Sequence, residues 1–256
     1  AQVLEENNLP EGIFNLVNGD YQVGEWMTKD KRLPLISATG STRMGKIVAK
    51  EVGARLGKSL LELGGNNAII ISKEADLDMA LRAVAFGAVG TAGQRCTSTR
   101  RVILHESIYE TFKNKLLGVY KQLSIGHPLE GNLVGPLIDK GAVAQFSKAI
   151  NQVKEEGGTI LYGGEEMQGP GFESGCYVKP AIAEVNGDFK IVQEETFAPL
   201  VYLIKYNRLE DAIEMQNNVP QGLSSAIFSK NMLEVEHFLN YAGSDCGIAN
   251  VNIGTS

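Results

Sequence analysis

Two short stretches, Leu61-Glu62-Leu63-Gly64-Gly65 and Thr91-Ala92-Gly93-Gln94-Arg95-Cys96-Thr97, form the centre around which the chain is built. In the second stretch, small residues leave room beside the Cys96 thiol, which can therefore approach a carbonyl carbon closely. In the first, an apolar run ends on a carboxylate and two glycines, so we expect Glu62 at the end of a strand with open space beside it. A thiol and a carboxylate in these settings indicate covalent catalysis, with Cys96 as nucleophile and Glu62 as general base.

Each stretch also has a plainer interpretation. A lone cysteine is more often a small buried hydrophobic residue than a nucleophile, and a glutamate before Gly-Gly can be a solvated turn residue. The joint pattern of Glu-Leu-Gly-Gly followed by Gly-Gln-Arg-Cys resembles the active-site pair of the aldehyde dehydrogenase superfamily. The resemblance extends over essentially the whole chain. The runs Gly-Gln-Arg-Cys-Thr, Glu-Glu-Thr-Phe-Ala-Pro and Gly-Ser-Asp-Cys-Gly-Ile-Ala-Asn-Val-Asn are most similar to the antiquitin branch, the α-aminoadipic semialdehyde dehydrogenases.

The composition is that of an ordinary globular protein. At 256 residues with 43% hydrophobic content, the chain can build one large or two smaller cores, and its net charge of −6 argues against nucleic-acid or anionic-membrane partners. No segment has the length of a membrane span. Three cysteines do not make a disulfide framework, and they share no metal-ligand spacing with the three histidines. We therefore expect a cytoplasmic protein with no metal site and no membrane partner.

Strand and helix patterns alternate along the chain and predict an α/β protein. The resemblance implies two parts: the end of a doubly wound dinucleotide-binding domain over 1–63, and an α/β catalytic domain over 64–256 that is incomplete at its C-terminus. It also implies that the chain is about half of a complete polypeptide. We expect this fragment alone to be inactive and the full-length protein to be a homo-oligomer.

Individual elements follow from the residue patterns. Apolar runs predict strands at 13–17, 33–37, 58–63, 67–71, 100–104, 177–185, 200–206, 224–228 and 248–253, with Pro180 at an edge or bulge. Helical spacing predicts a helix from Met44 to Leu56, one capped by Asp76, and one opened by a capping box at 107–110. It also predicts helices over 143–153, 209–217 and 233–241.

The turn at Gly40-Ser41-Thr42 lies between a predicted strand and a predicted helix. Free backbone N–H groups meet the helix dipole there, which suits a pyrophosphate, although a plain helix cap is the commoner use of such a turn. The turn resembles the superfamily's cofactor loop Gly-Ser-Thr-x-x-Gly, and the resemblance implies that Glu195 binds the nicotinamide ribose and Phe197 packs beside the nicotinamide. The expected cofactor is NAD, with NADP left open. The cofactor-binding residues so implied are Gly40, Ser41, Thr42, Gly45, Leu63, Glu195 and Phe197.

Arg95 directly precedes the proposed nucleophile, where a guanidinium can make a structural ion pair or bind a carboxylate through its planar fork. The resemblance implies that this arginine holds the carboxylate end of a semialdehyde substrate, and that Thr97 and Ser256 line the same site. The loop that ends the chain departs from the family's usual Ile-Pro-Thr-Ser, because Gly254 stands in place of the proline.

In the mechanism that the resemblance implies, Cys96 attacks an aldehyde, a hydride passes to NAD, and Glu62 activates the water that hydrolyses the thioester. The Cys96 N–H supplies one oxyanion donor, and the family's second donor, an Asn side chain, lies upstream of Ala1. Two alternatives remain. A thiol hydrolase or acyltransferase would also use Cys96 and Glu62, and a coenzyme-A-acylating relative would pass the acyl group to a thiol.

Overall fold

The computed structural model describes residues 2–256 of the chain, which divides into two units, 1–63 and 64–256. The elements of the first unit are α1 (Gln2–Glu6), α2 (Tyr21–Lys29), β1 (Leu35–Thr39), α3 (Thr42–Ala54) and β2 (Lys58–Glu62). Strands β1 and β2 are parallel neighbours, with Thr39 opposite Glu62, and helix α3 connects them.

Two predictions for the first unit are wrong. The apolar run at 13–17 is exposed and irregular, because a strand needs a neighbouring strand and, in the described residues of this unit, β1 pairs only with β2. Asp20 instead caps the unpredicted helix α2, its carboxylate accepting from the Gln22 N–H at 2.9 Å. Leu56 lies beyond the end of α3, is 95% exposed and has φ 58°, the left-handed conformation that closes many helices.

The second unit is built on a seven-stranded sheet. Its elements are β3 (Asn67–Ile71), α4 (Leu77–Val89), β4 (Thr99–His105), α5 (Glu106–Tyr120), α6 (Lys140–Glu155), β5 (Thr159–Tyr162), β6 (Ala181–Glu184), α7 (Lys190–Gln193), β7 (Leu200–Tyr206), α8 (Leu209–Asn217), β8 (Ser224–Phe228), α9 (Met232–Leu239) and β9 (Ile248–Val251). The strand order is β5-β6-β7-β4-β3-β8-β9, and every neighbouring pair is parallel except β5 with β6. The predicted α/β fold class is therefore confirmed.

The core of the second unit lies on both faces of its central strands. Strands β3 and β8 are buried at every residue, as expected for parallel strands covered by helices on both sides. The crossover β3–α4–β4 leads towards the β5 side of the sheet, and the crossover β7–α8–β8 leads towards the β9 side. Because such crossovers are right-handed, α4 and α8 lie on opposite faces.

Two helix starts test the predicted caps. Asp76 caps α4 as predicted, since its carboxylate accepts from the N–H groups of Asp78 and Met79. The predicted capping box at 107–110 is wrong. Helix α5 begins at Glu106, and the His105 imidazole accepts from the Ser107 N–H at 3.2 Å in place of a serine cap.

The predicted position of Pro180 within a strand is also wrong. Strand β6 begins at Ala181, directly after the proline, and lies between β5 and β7. An interior strand has neighbours on both sides and leaves no place for a residue without an N–H. Among residues 2–256, no helix is long and apolar enough to cross a membrane.

Candidate active site

Three chain segments meet at one edge of the large sheet. Residues 64–66 lead into β3, residues 93–98 lead into β4, and residues 195–199 lead into β7. Since β7, β4 and β3 are adjacent and parallel, their amino-terminal ends lie along the same edge. The fold of the second unit therefore brings residues 91–96, which we call the Cys96 turn, beside Gly64-Gly65 and the segment that contains Glu195 and Phe197.

The turn before Cys96 has an unusual backbone. Thr91, Ala92 and Gly93 follow one another with φ values of 55°, 52° and 69°, all in the left-handed region. That region is unfavourable for residues with a Cβ, and most of all for a β-branched threonine. The Arg95 Nε holds the turn by donating to the Thr91 Oγ1 at 2.6 Å. Such strain is typical of functional sites, where surrounding contacts keep a reactive group in place.

Glycine is required at position 93. A Cβ there would collide with the backbone carbonyl of Ala198, so the turn lies in direct contact with the chain just before β7. Gln94 fixes the outer side of the turn, because its side chain donates to the Pro136 carbonyl at 3.2 Å and accepts from the Ile138 N–H at 2.9 Å.

The backbone of Cys96 is anchored by a buried amide. The Asn67 side chain donates to the carbonyl oxygens of Cys96 and Ser98, each at 2.8 Å, and its own oxygen accepts from the Ser224 N–H at 3.1 Å. A Cβ at Gly65 would collide with the Cys96 carbonyl, so the glycine permits this close approach. The thiol itself is partly exposed and unpaired with another cysteine.

Glu195 is held against the Gly-Gly segment. Its Oε1 accepts from the Gly65 N–H at 3.0 Å and from Arg100 at 3.4 Å, and its side chain is 16% exposed. A Cβ at Gly64 would collide with the other carboxylate oxygen. Phe197, two residues on, is 41% exposed and lies under the Arg100 guanidinium at 5.3 Å from ring centroid to Cζ.

The predicted substrate residues divide into two groups. Thr97 and Ser256 meet, with their hydroxyl oxygens 2.7 Å apart, and the neighbouring Thr255 is buried with its hydroxyl 2.8 Å from that of Thr99. Arg95 instead extends back along α4, where its guanidinium lies 4.9 Å from the centre of the Phe86 ring.

The predicted phosphate turn lies in the first unit. The Ser41 hydroxyl caps α3 by accepting from the Met44 N–H at 3.2 Å, and the Gly40 N–H donates to the Glu62 carbonyl at 3.0 Å. The side chain of Leu63 covers Gly45 so closely that a Cβ there would collide with it.

The donor set of this turn suits an anionic dinucleotide. Residues 40–45 carry hydroxyl groups, a guanidinium and the unsatisfied N–H groups of a helix start, with no carboxylate among them. Glu62 is exposed at the end of β2. Glu62 belongs to the first unit and Cys96 to the second.

Sequence patterns missed two residues of the site, Asn67 and Arg100. A signal for both was present, since polar residues inside fully buried strands must find hydrogen-bond partners. Burial raises the pKa of the Cys246 thiol, which makes its thiolate form less available. In the described part of the chain, no three His, Cys, Asp or Glu side chains converge as a metal site would require.

Comparison with known proteins gives a consistent result. The sequence matches the Aldehyde dehydrogenase family over residues 1–256. It is 49% identical over 257 residues to aldehyde dehydrogenase family 7 member B4 of Arabidopsis thaliana, and 49% identical over 258 residues to the α-aminoadipic semialdehyde dehydrogenase of Mus musculus. All of the chain is covered in both cases, together with 50% and 47% of the relatives. The chain thus spans about half the length of these relatives.

A solved structure supports the same relationship. Betaine aldehyde dehydrogenase from Staphylococcus aureus, in complex with NAD⁺, superimposes with a TM-score of 0.91 at 28% identity. The match covers 99% of this chain and 50% of that one.

Proposed function

Because the chain belongs to the aldehyde dehydrogenase family, we propose that the full-length protein oxidises an aldehyde to a carboxylic acid with a nicotinamide dinucleotide. The observation that carries the proposal is the Cys96 turn, in which the left-handed residues 91–93 precede a free thiol whose own backbone carbonyl is bound by Asn67. A buried cysteine with only a structural role needs no such turn.

Cys96 acts first. Its thiolate attacks the aldehyde carbon and forms a thiohemiacetal, whose oxyanion is stabilised by the Cys96 N–H as one donor. Within residues 64–256 this N–H has no acceptor, so it can donate to the substrate oxygen. The cofactor, when bound, supplies the acceptor for the hydride that leaves the substrate carbon.

Two regions would hold the cofactor. The start of α3 at Gly40, Ser41 and Thr42 would bind the pyrophosphate, and Glu195 and Phe197 would lie beside the nicotinamide end. Loss of the hydride leaves an acyl group on Cys96. Glu62 then removes a proton from water, and the hydroxide attacks the thioester and releases the acid and the thiol.

Two variants of the full-length protein test this division of labour. Cys96→Ser should lower kcat for aldehyde oxidation by at least about 1,000-fold, since the hydroxyl is a far weaker nucleophile. Glu62→Gln should leave the first hydride transfer intact and slow acyl release, so stopped-flow absorbance should show a burst of reduced cofactor followed by slow turnover. Retained turnover in Cys96→Ser would exclude the proposal. A Glu62→Gln enzyme that lacks the burst, or turns over at the normal rate, would remove Glu62 from acyl release.

For the substrate, we propose α-aminoadipic semialdehyde or a related semialdehyde, with Arg95 binding its carboxylate end and with Thr97 and Ser256 also lining the site. Support comes from the planar guanidinium directly before the nucleophile and from the meeting of the Thr97 and Ser256 hydroxyls at 2.7 Å. For the cofactor we propose NAD, to be checked by comparing kcat/KM for NAD and NADP.

The substrate proposal is tested by the ratio of kcat/KM for that semialdehyde to kcat/KM for hexanal. Arg95→Met should lower the ratio by about 10- to 100-fold, the value of one or two charge-assisted hydrogen bonds. Arg82→Met on the exposed side of α4 is the matched control and should leave it unchanged. An unaltered ratio in Arg95→Met would make Arg95 a structural residue.

A further inference from the structure

Two adjacent arginines lie inside the large sheet. Arg100 and Arg101 of β4 are 1% and 2% exposed. A buried guanidinium is stable only if hydrogen bonds replace its water, so the partners of each side chain reveal what it is for. The register between β3 and β4 shifts here, since Asn67 lies opposite Thr99 and Ala68 opposite Arg101, which leaves Arg100 as an extra residue. The two guanidinium groups have different partners.

Arg101 joins the residue just before β3 to the end of α8. Its Nε and Nη2 donate to the Asn66 carbonyl at 2.9 and 2.7 Å, and its remaining contacts are the Met215 and Gln216 carbonyls at the end of α8, at 2.7 and 3.0 Å. None of these acceptors belongs to the Cys96 turn or to residues 195–197. Burial lowers the pKa of Arg101 to about 10.

Arg100 lies within the candidate site. It has five N–H donors, and the structure gives each of them an acceptor. The acceptors are the carbonyls of Gly65 (3.2 Å, from Nε), Gly93 (3.2 Å) and Thr196 (2.6 Å), both from Nη1, and, from Nη2, the carbonyl of Arg95 (3.1 Å) and the Glu195 carboxylate (3.4 Å).

These acceptors come from three separate segments. Gly65 precedes β3, and Glu195 and Thr196 precede β7. Gly93 and Arg95 lie in the Cys96 turn itself. We propose that Arg100 is a positioning residue, whose guanidinium fixes the Cys96 turn relative to residues 195–197. The inference rests on the proposed function, in which Cys96 is the nucleophile.

Neither lysine nor methionine can replace these contacts. Lysine keeps the charge but has only three donors around a single nitrogen, so at least two of the five acceptors would lose their bond to residue 100. Methionine fills similar space but has no donor, so all five bonds would be lost. Either change should let the turn and residues 195–197 move apart, and a misplacement of about 1 Å can lower catalysis about 100-fold.

The test compares the two arginines in the full-length protein. Arg100→Met, Arg100→Lys, Arg101→Met and Arg101→Lys are measured for thermal midpoint, for kcat and KM of the cofactor, and for the rate at which iodoacetamide alkylates Cys96. Peptide mass spectrometry distinguishes Cys96 from Cys176 and Cys246. We expect all four variants to lose stability. Only the Arg100 variants should lower kcat/KM for the cofactor, by about 100-fold, and change the alkylation rate by about tenfold or more.

Three results would overturn the proposal. One is a loss of kcat/KM for the cofactor that is equal in the Arg100 and Arg101 variants and follows the fall in their thermal midpoints. Another is an Arg100→Lys protein whose kcat/KM for the cofactor equals that of the unsubstituted protein. The third is failure of both Arg100 variants to fold while the Arg101 pair folds, which would make Arg100 a stability residue. Retained turnover in Cys96→Ser would instead reject the proposed function, while the alkylation rate would still report whether Arg100 positions the turn.

Discussion

At the scale of single residues, Gly93 is the position where adding one methyl group should have a large effect. Its φ of 69° is unfavourable for alanine, and the added Cβ would collide with the Ala198 carbonyl, a backbone atom that cannot turn aside. Gly93→Ala should therefore lower the free energy of unfolding by about 2–4 kcal/mol and displace the Cys96 turn. Urea unfolding and the aldehyde oxidation rate of the full-length protein measure the two effects.

Gly118 supplies the matched control. It lies in helix α5, where a Cβ would have no heavy atom within 4 Å. Gly118→Ala should raise stability by up to about 1 kcal/mol through helix propensity and leave activity unchanged. A Gly93→Ala protein as stable and active as Gly118→Ala would show that the turn tolerates a side chain.

Single residues were predictable where a motif includes them. Cys96, Glu195 and Phe197 belong to recognisable runs, and the structure brings all three into one unit. Arg100 and Asn67 were missed, because a polar residue in a buried strand signals only that it needs partners, and not which carbonyl groups lie across the sheet edge. Those carbonyls belong to residues up to 96 positions away, and a one-dimensional pattern does not contain that proximity.

At the scale of elements, the N-terminal cap of α4 predicts a dependence on pH. The hydrogen bond from the Met79 N–H, with the nearby charge of Lys230, holds the pKa of Asp76 below its usual 3.8. A carboxylate whose folded-state pKa is lowered contributes stability above its unfolded value, and that stability is lost as the pH falls through the folded value. The destabilisation by Asp76→Ala should therefore be full at pH 7 and shrink below about pH 4.

Asn231 is the uncharged counterpart. Its amide oxygen caps α9 by accepting from the Leu233 N–H at 3.0 Å. Asn231→Ala should destabilise the protein by the same amount at pH 7 and pH 3, since no proton is involved. The two variants are compared by their urea unfolding midpoints, measured by circular dichroism at pH 7 and pH 3. An Asp76→Ala effect that stays constant with pH would disprove a charged cap.

Elements were predicted best where burial forces a simple pattern. The runs at 67–71, 200–206 and 224–228 became β3, β7 and β8 with the predicted bounds, because strands covered on both faces need continuous apolar sequence. The run at 13–17 is equally apolar and forms no strand, since strand formation depends on a partner that composition does not reveal. Helix α2 was missed because it is only nine residues long and has Gly24 in its interior, which weakens the helix signal.

At the scale of the whole chain, the two units differ in how much core they have. The buried hydrophobic residues of the first unit are Val48 and Val52, whereas the second unit has a core of several layers. The first unit should therefore open at a lower urea concentration than the second. Hydrogen exchange measures both: the backbone amides of α3 should lose protection at a lower urea concentration than those of β3 and β8. Coincident transitions would show instead that the two units unfold together.

The Arg100 guanidinium is shared between the Cys96 turn and the Glu195 carboxylate, which ties the energetics of two separate events together. If Arg100 positions the turn as proposed, a ligand that moves residues 195–197 also shifts the partner of the turn and alters the reactivity of the thiol. Thermodynamic linkage then makes the effect reciprocal: if binding at Glu195 changes the equilibrium for modifying Cys96, then modifying Cys96 must change the dissociation constant of that ligand by the same factor. A single buried side chain would thereby couple the two ends of the site in both directions.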